Sequence, residues 1–164
     1  THFGHAGVCR FTLDDGVTKL RPWTDPAEMD EEMVRRWNET VRPNDKVYHL
    51  GDVVINRKYL PILEQLNGDK VLIKGNHDIF KLQDYTKYFR DIRSYMVSDK
   101  CIFSHIPIHA DSVDRFRLNV HGHLHSYEVK RVIDGVSVKD ERYVNVCVEH
   151  TNWVPISLDE VFKK

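Results

Sequence analysis

Four short apolar runs in this 164-residue chain each end in side chains that bind metals. Val47-Tyr48-His49-Leu50 leads into Gly51-Asp52, and Val71-Leu72-Ile73-Lys74 into Gly75-Asn76-His77-Asp78. Cys101-Ile102-Phe103-Ser104 leads into His105, and Leu118-Asn119-Val120 into His121-Gly122-His123-Leu124-His125. A fifth fragment, Thr1-His2-Phe3-Gly4-His5, carries the same chemistry with no apolar run before it. A strand delivers its last residue to one edge of a sheet, and parallel strands with polar carboxyl ends build a ligand crevice there. Imidazoles, one carboxylate and one amide brought to such a crevice are ligands for first-row divalent ions.

Each residue also has an ordinary reading. A single His at a strand end is usually a hydrogen-bonded surface residue, and Asp52 after Gly51 alone would be a turn former. Three further motifs in register move Asp52 to the ligand reading, because a carboxylate has two oxygens and can bridge two cations. His123 and His125 bracket Leu124, so in an extended segment both rings share one face. His5, His49 and His121 are candidates to support a ligand or substrate, with structural roles equally open. His109 and His150 lie outside every motif, and Arg115 and Arg117 read as solvated loop arginines.

The series Gly51-Asp52, Gly75-Asn76-His77-Asp78, His105 and Gly122-His123-Leu124-His125 resembles the calcineurin-like metallophosphoesterases. Their motifs run Asp-x-His, Gly-Asp, Gly-Asn-His-(Asp/Glu), His and Gly-His-x-His, and the likeness extends from residue 1 to about Glu149. The resemblance implies one domain over residues 1–164, an α/β four-layer α/β/β/α sandwich of two stacked mixed sheets with flanking helices. It implies two divalent ions bridged by Asp52, with Mn²⁺ expected first and Fe, Zn or Ni also admitted by the ligands. One ion would take His2 and His125, and the other Asn76, His105 and His123. A metal-bridging hydroxide would attack phosphorus while His77 acts as the acid, with Asn76 and His77 touching substrate. Asp78 would orient the His77 ring or cap the following helical turn, the cap being preferred. The Asp of the first family motif has no counterpart among residues 1–164, so an Asp preceding Thr1 is expected, the alternative being a domain that has lost one ligand.

Composition is that of a soluble globular domain, 41% hydrophobic and 30% charged, long enough for a core of its own. A net charge of −1 argues against a general nucleic-acid binder. Cys9, Cys101 and Cys147 are odd in number and widely spaced, which reads as three free thiols in a reducing compartment. Cys101 and Cys147 sit in strand-like runs that predict buried packing. No stretch approaches the roughly 18 apolar residues of a membrane span. The expected setting is cytoplasmic, with a small phosphorylated substrate as partner.

The elements that must position these residues follow from pattern. Asp25 as N-cap, Pro26 and Glu28 open a helix whose Met29, Met33, Trp37 and Val41 recur at helical spacing. A strand over 46–50 delivers Asp52, a helix over 58–66 buries Leu60, Leu63 and Leu66, and a strand over 70–74 delivers Asn76. This β-α-β unit implies parallel neighbours. After Asp84 hairpins are expected, at 95–104 around Ser98-Asp99 and at 128–138 around Asp134-Gly135. A strand over 142–148 and a helix over 157–162 complete the pattern, giving two stacked sheets with helices outside.

Three functions compete. A phosphoesterase accounts for every motif. A non-catalytic assembly scaffold that kept this fold is the alternative, but it has no need of His77. A nuclease would want a basic groove. The protein Ser/Thr phosphatase branch does not fit, since its Gly-Asp-x-Val-Asp-Arg-Gly stretch is here Gly51-Asp52-Val53-Val54-Ile55-Asn56-Arg57.

Overall fold

The structure is a computed structural model that describes residues 1–163. Helix α1 spans Pro26–Thr40, and the Asp25 carboxylate accepts a hydrogen bond from the Ala27 amide at 2.9 Å. Its Met29, Met33 and Trp37 are buried, and the Trp37 indole donates to the Asn67 carbonyl, tying the helix to the next turn. The second helical segment is a 3-10 helix over Arg57–Gln65. Pro61 in its middle has no N–H for an α-helical ladder, which favours the tighter coil. Leu60, Leu63 and Leu66 are still buried, because they face the sheet at nearly the same spacing.

Strands β1 (Lys46–His49), β2 (Asp69–Ile73) and β3 (Asp91–Arg93) form a three-stranded parallel sheet in that order. The sequence pattern did not reveal β3, which is only three residues long and lies at an edge. The second sheet has the order β4-β5-β6-β9, built from Tyr95–Ser98, Cys101–Ser104, Asn119–His121 and Tyr143–Asn145. Only β4 and β5 run antiparallel, while β5, β6 and β9 are parallel neighbours. The hairpin β7–β8 (Lys130–Ile133 and Val136–Lys139) turns at Asp134-Gly135 as a separate two-stranded sheet. Both hairpins expected after Asp84 are present, β4–β5 around Ser98-Asp99 and β7–β8 around Asp134-Gly135, while β6 joins β5 and β9 joins β6 in parallel, which the pattern did not specify. Alternation reveals a strand but not its direction.

One core joins α1 and the 3-10 helix to one face of the first sheet, through Met29, Met33, Trp37, Leu60, Leu63 and Leu72. A second core lies between the sheets, where Ile73 meets Phe103, Val120 and Val144. The opposite face of the second sheet carries polar anchors. The Asn119 side chain accepts from the Ile108 amide, and the Tyr143 hydroxyl donates to the Ile108 carbonyl. Among the described residues, helices longer than one turn belong to the first core, and α2 (Leu82–Tyr85), α3 (Ala110–Val113) and α4 (Leu158–Val161) have four residues each. Among the described residues no helix is long and apolar enough to cross a membrane. Cys101 is buried in β5, whereas Cys147 lies beyond β9 and is half-buried, so its predicted strand packing is not observed.

Register makes the strand ends level. His49 pairs with Leu72, Ser104 with His121, and His121 with Asn145. The segments leaving β1, β2, β5 and β6 thus emerge along one edge of the molecule. Thr1–Phe3 runs beside Asp52–Val54 at the same edge, with the His2 amide donating to the Asp52 carbonyl. A cavity of about 520 Å³ leads inward from this edge between Tyr48 on one sheet and Phe103 and Val120 on the other.

Candidate metal centre

Asp52 stands at the middle of the crevice and is almost fully buried. Its backbone is in the left-handed region, φ 52°, after Gly51 at φ 88°. Two glycines permit the approach of the β1 and β2 ends. A Cβ on Gly75 would lie 2.2 Å from Asp52 Oδ1, and one on Gly51 would lie 2.4 Å from the Gly75 nitrogen. Asp52 Oδ1 accepts from the His77 amide at 2.9 Å, leaving Oδ2 toward the crevice.

Two groups of side chains flank Oδ2. On one side His105 Nε2 is 3.3 Å from it, 2.9 Å from Asn76 Oδ1 and 3.2 Å from His123 Nδ1. On the other, His2 Nε2 is 3.6 Å from it, and the His2 ring stacks on His125 with centroids 5.2 Å apart. His77 stands exposed beside this pair, its ring centroid 5.7 Å from that of His2. The structure therefore brings His2, Asp52, Asn76, His77, His105, His123 and His125 together.

The donor atoms fit a cation. His105 Nδ1 is 2.6 Å from the Leu50 carbonyl, an acceptor only, so Nδ1 carries the proton and Nε2 presents a lone pair. That lone pair faces a carboxylate oxygen, an amide oxygen and another imidazole. Asp52, His105 and His123 offer ligand atoms within 4.8 Å of one another. Burial, above all, lowers the pKa of His2 and His123, keeping their rings neutral with lone pairs available. Burial works to raise the Asp52 carboxyl, and the His77 amide that donates to Oδ1 works against it by favouring the ionised form.

Backbone strain marks the same residues. His2, Asp52, His123 and His125 all have φ between 50° and 68°. Such a conformation is costly for residues with a Cβ, and strained backbone concentrates at functional sites. It also corrects the expectation that His123 and His125 share a face. The segment is a turn, with the Leu124 amide donating to the Gly122 carbonyl, and the two rings go to opposite sides of Asp52.

The residues read as supports divide. His49 contacts the Thr1 hydroxyl through Nε2 at 3.2 Å and accepts from the Gly51 amide, so it braces two chain segments beneath Asp52. The His5 ring lies 5.7 Å from that of His2. His121 is fully buried, with Nδ1 bonded to the Gly122 carbonyl and not turned to the crevice. Asp78 neither orients His77 nor caps a helix. Its carboxylate accepts from the amides of Asp52, Val53 and Gly75, locking the β1 and β2 loops together.

The matched sequence profile decides the family. Residues 25–157 match that of the calcineurin-like phosphoesterases. The chain belongs to that family. The family points to metal-dependent phosphoester hydrolysis, and the Asp52–His105–His123 group could hold a metal ion of the kind such chemistry needs. This phosphoesterase is 30% identical to an uncharacterized protein of Methanocaldococcus jannaschii, over 99% of this chain and 86% of the relative. It is similar as well to the crystal structure of a protein of unknown function from Aquifex aeolicus. There the TM-score is 0.68, with 27% identity over 99% of this chain and 94% of the other.

Two residues of the phosphoesterase's centre escaped sequence reading. Glu149 accepts from His125 Nδ1 at 3.1 Å, and Arg21, 1% exposed, pairs with Glu149 at 3.0 Å. Burial would raise Glu149, but the His125 hydrogen bond and the Arg21 charge override it and hold the carboxyl at about 2. A signal for Glu149 was present, since it too follows an apolar run, Val144 to Val148. Arg21 sits in a loop with no pattern around it.

Proposed function

We propose that this protein hydrolyses phosphate esters of small molecules, nucleotides among them, with two divalent ions seated on either side of Asp52. The observation that carries the reading is the convergence of four lone-pair donors, His105 Nε2, Asp52 Oδ2, Asn76 Oδ1 and His123 Nδ1, on one point. In this reading His105, Asn76 and His123 would hold one ion and His2 and His125 the other, with the Asp52 carboxylate available to both. Two such ions supply positive charge for the phosphoryl oxygens and acidify a water. Mixed imidazole and oxygen ligands suit Mn²⁺, Fe, Zn and Ni alike, and Mn²⁺ is the ion this reading takes first.

The chain's own residues do the rest. His105 is fixed through the Leu50 carbonyl and cannot turn away. The Asn76 amide, exposed at the mouth, is free to orient a phosphoryl oxygen. His77 is exposed next to it and donates a proton to the departing oxygen. Its backbone amide is anchored to Asp52, so the ring is held beside the ligands without being one. Three free cysteines accord with a cytoplasmic setting.

Crystals equilibrated with Mn²⁺ test the reading directly. Two ions sharing Asp52 are expected. Ions more than about 5 Å apart, well beyond the two-metal range, or one ion at saturation, overturn it. Rates on bis(p-nitrophenyl) phosphate and p-nitrophenyl phosphate then decide between diester and monoester preference.

A further inference from the structure

Arg21 is the largest of the fully buried side chains. A guanidinium out of water needs partners for its donors, and their identity shows what the arginine is for. Its Nε and Nη2 both reach Glu149 Oε1 at 3.0 Å. Its Nη1 donates to the Thr1 carbonyl at 2.7 Å and also meets the Met29 sulfur. The plane lies over Trp153, 5.6 Å from the ring centroid.

Each of the two oxygen partners leads to one histidine of the same pair. Glu149 Oε1 also accepts from His125 Nδ1, which fixes the proton there and leaves Nε2 as the lone-pair atom. The Thr1 carbonyl belongs to the peptide plane that carries the His2 amide, and that amide donates to the Asp52 carbonyl. Both His2 and His125 have positive φ, so neither holds its direction by local preference. One buried cation braces both against relaxation. The other half of the crevice has its own supports, the Leu50 carbonyl for His105 and the Asn76 amide, with no link to Arg21.

We infer that Arg21 is a positioning residue for the His2–His125 half of the centre, acting through Glu149 and the Thr1 carbonyl, so that affinity for one of two ions depends on it. The inference rests on the dinuclear reading above. An Arg-to-Lys change at this position keeps the charge but cannot span both partners at once.

Mn²⁺ titration followed by electron paramagnetic resonance separates the two halves. The unaltered chain should take two equivalents and end in an exchange-coupled spectrum. Arg21→Lys should bind the first equivalent normally and the second roughly 10–100-fold more weakly, leaving an uncoupled signal at one equivalent. Glu149→Leu, which keeps the bulk but removes the oxygen shared by Arg21 and His125, should give the same split and provides the measurement if Arg21→Lys does not fold. A merely structural arginine would weaken both equivalents together with the melting temperature. Two equivalents in the unaltered chain, with both or neither weakened in the variants, overturn the inference alone. Fewer than two in the unaltered chain overturn the dinuclear reading and the inference with it.

Discussion

His105 Nε2 faces Asp52 Oδ2 across 3.3 Å while the other nitrogen of its ring is committed to the Leu50 carbonyl. Two lone-pair atoms at that distance repel unless a proton or a cation lies between them, and one cation would satisfy all four such atoms here. Asp52→Asn should therefore lose metal and activity together, because an amide offers one neutral oxygen and cannot bridge. Excess chelator should abolish hydrolysis of an aryl phosphate, and Mn²⁺ should restore it better than Mg²⁺, which prefers all-oxygen ligands. Undiminished turnover in chelator would contradict this account.

Gly75→Ala gives a geometric test of the same crevice. The new methyl would sit 2.2 Å from Asp52 Oδ1 and 2.6 Å from the Asp52 nitrogen, so carboxylate and loop must both move. Even displacements on the order of 1 Å cost about 100-fold in well-aligned active sites. A loss of that size in kcat, with weakened metal binding, is expected. Gly16→Ala, where nothing lies within 4 Å, is the control for an added methyl away from the crevice. Unchanged metal affinity in Gly75→Ala would show that the crevice tolerates the shift.

How much of this was legible depended on the distance over which each partner acts. Asp52, Asn76, His105 and His123 were legible because each ends an apolar run, and parallel register makes run ends converge. The helix at Pro26 was legible because its cap, its proline and its apolar face are local. Asp78 was misread because its donors at Asp52 and Val53 lie 26 and 25 residues away, across a loop junction no local pattern encodes. Arg21 was illegible for the same reason, with 128 residues separating it from Glu149. His123 and His125 were found, but their shared face was wrong, since positive φ at both removes the alternation that the argument assumed.

Asp30 predicts a pH dependence of stability far from the chemistry. It is buried on α1 and accepts from the Gly4 amide at 2.9 Å. Burial, against the Gly4 hydrogen bond and the Arg21 charge, raises its carboxyl to about 6. A folded pKa above the unfolded one means that the native state binds this proton more tightly. The stabilising contribution is complete below the unfolded value and is lost as pH rises through about 6. Asp30→Asn keeps the acceptor oxygen and removes the buried charge. Allowing for partial solvent screening, it should stabilise the fold by about 1–2 kcal/mol at pH 7.5 and by almost nothing at pH 4. Urea unfolding at the two pH values checks this. An equal effect at both would mean that the ionised carboxylate costs nothing.

His77 separates an enzyme from a scaffold that kept the fold. Its ring is exposed, and its backbone amide donates to Asp52 while its carbonyl accepts from the Ile79 amide, bonds that every substitution retains. His77→Ala and His77→Gln should therefore leave folding and metal content nearly unchanged. As a general acid it should account for roughly 10²–10⁴-fold in turnover, and the loss should follow the leaving group. An alkyl ester needs a proton on its departing oxygen, whereas a nitrophenyl ester leaves readily as an anion. The alkyl substrate should suffer far more in either variant. A ring that only shaped the pocket would slow both esters alike. Parallel rate losses, or metal lost along with activity, would remove His77 from proton transfer and leave the crevice without an assigned acid.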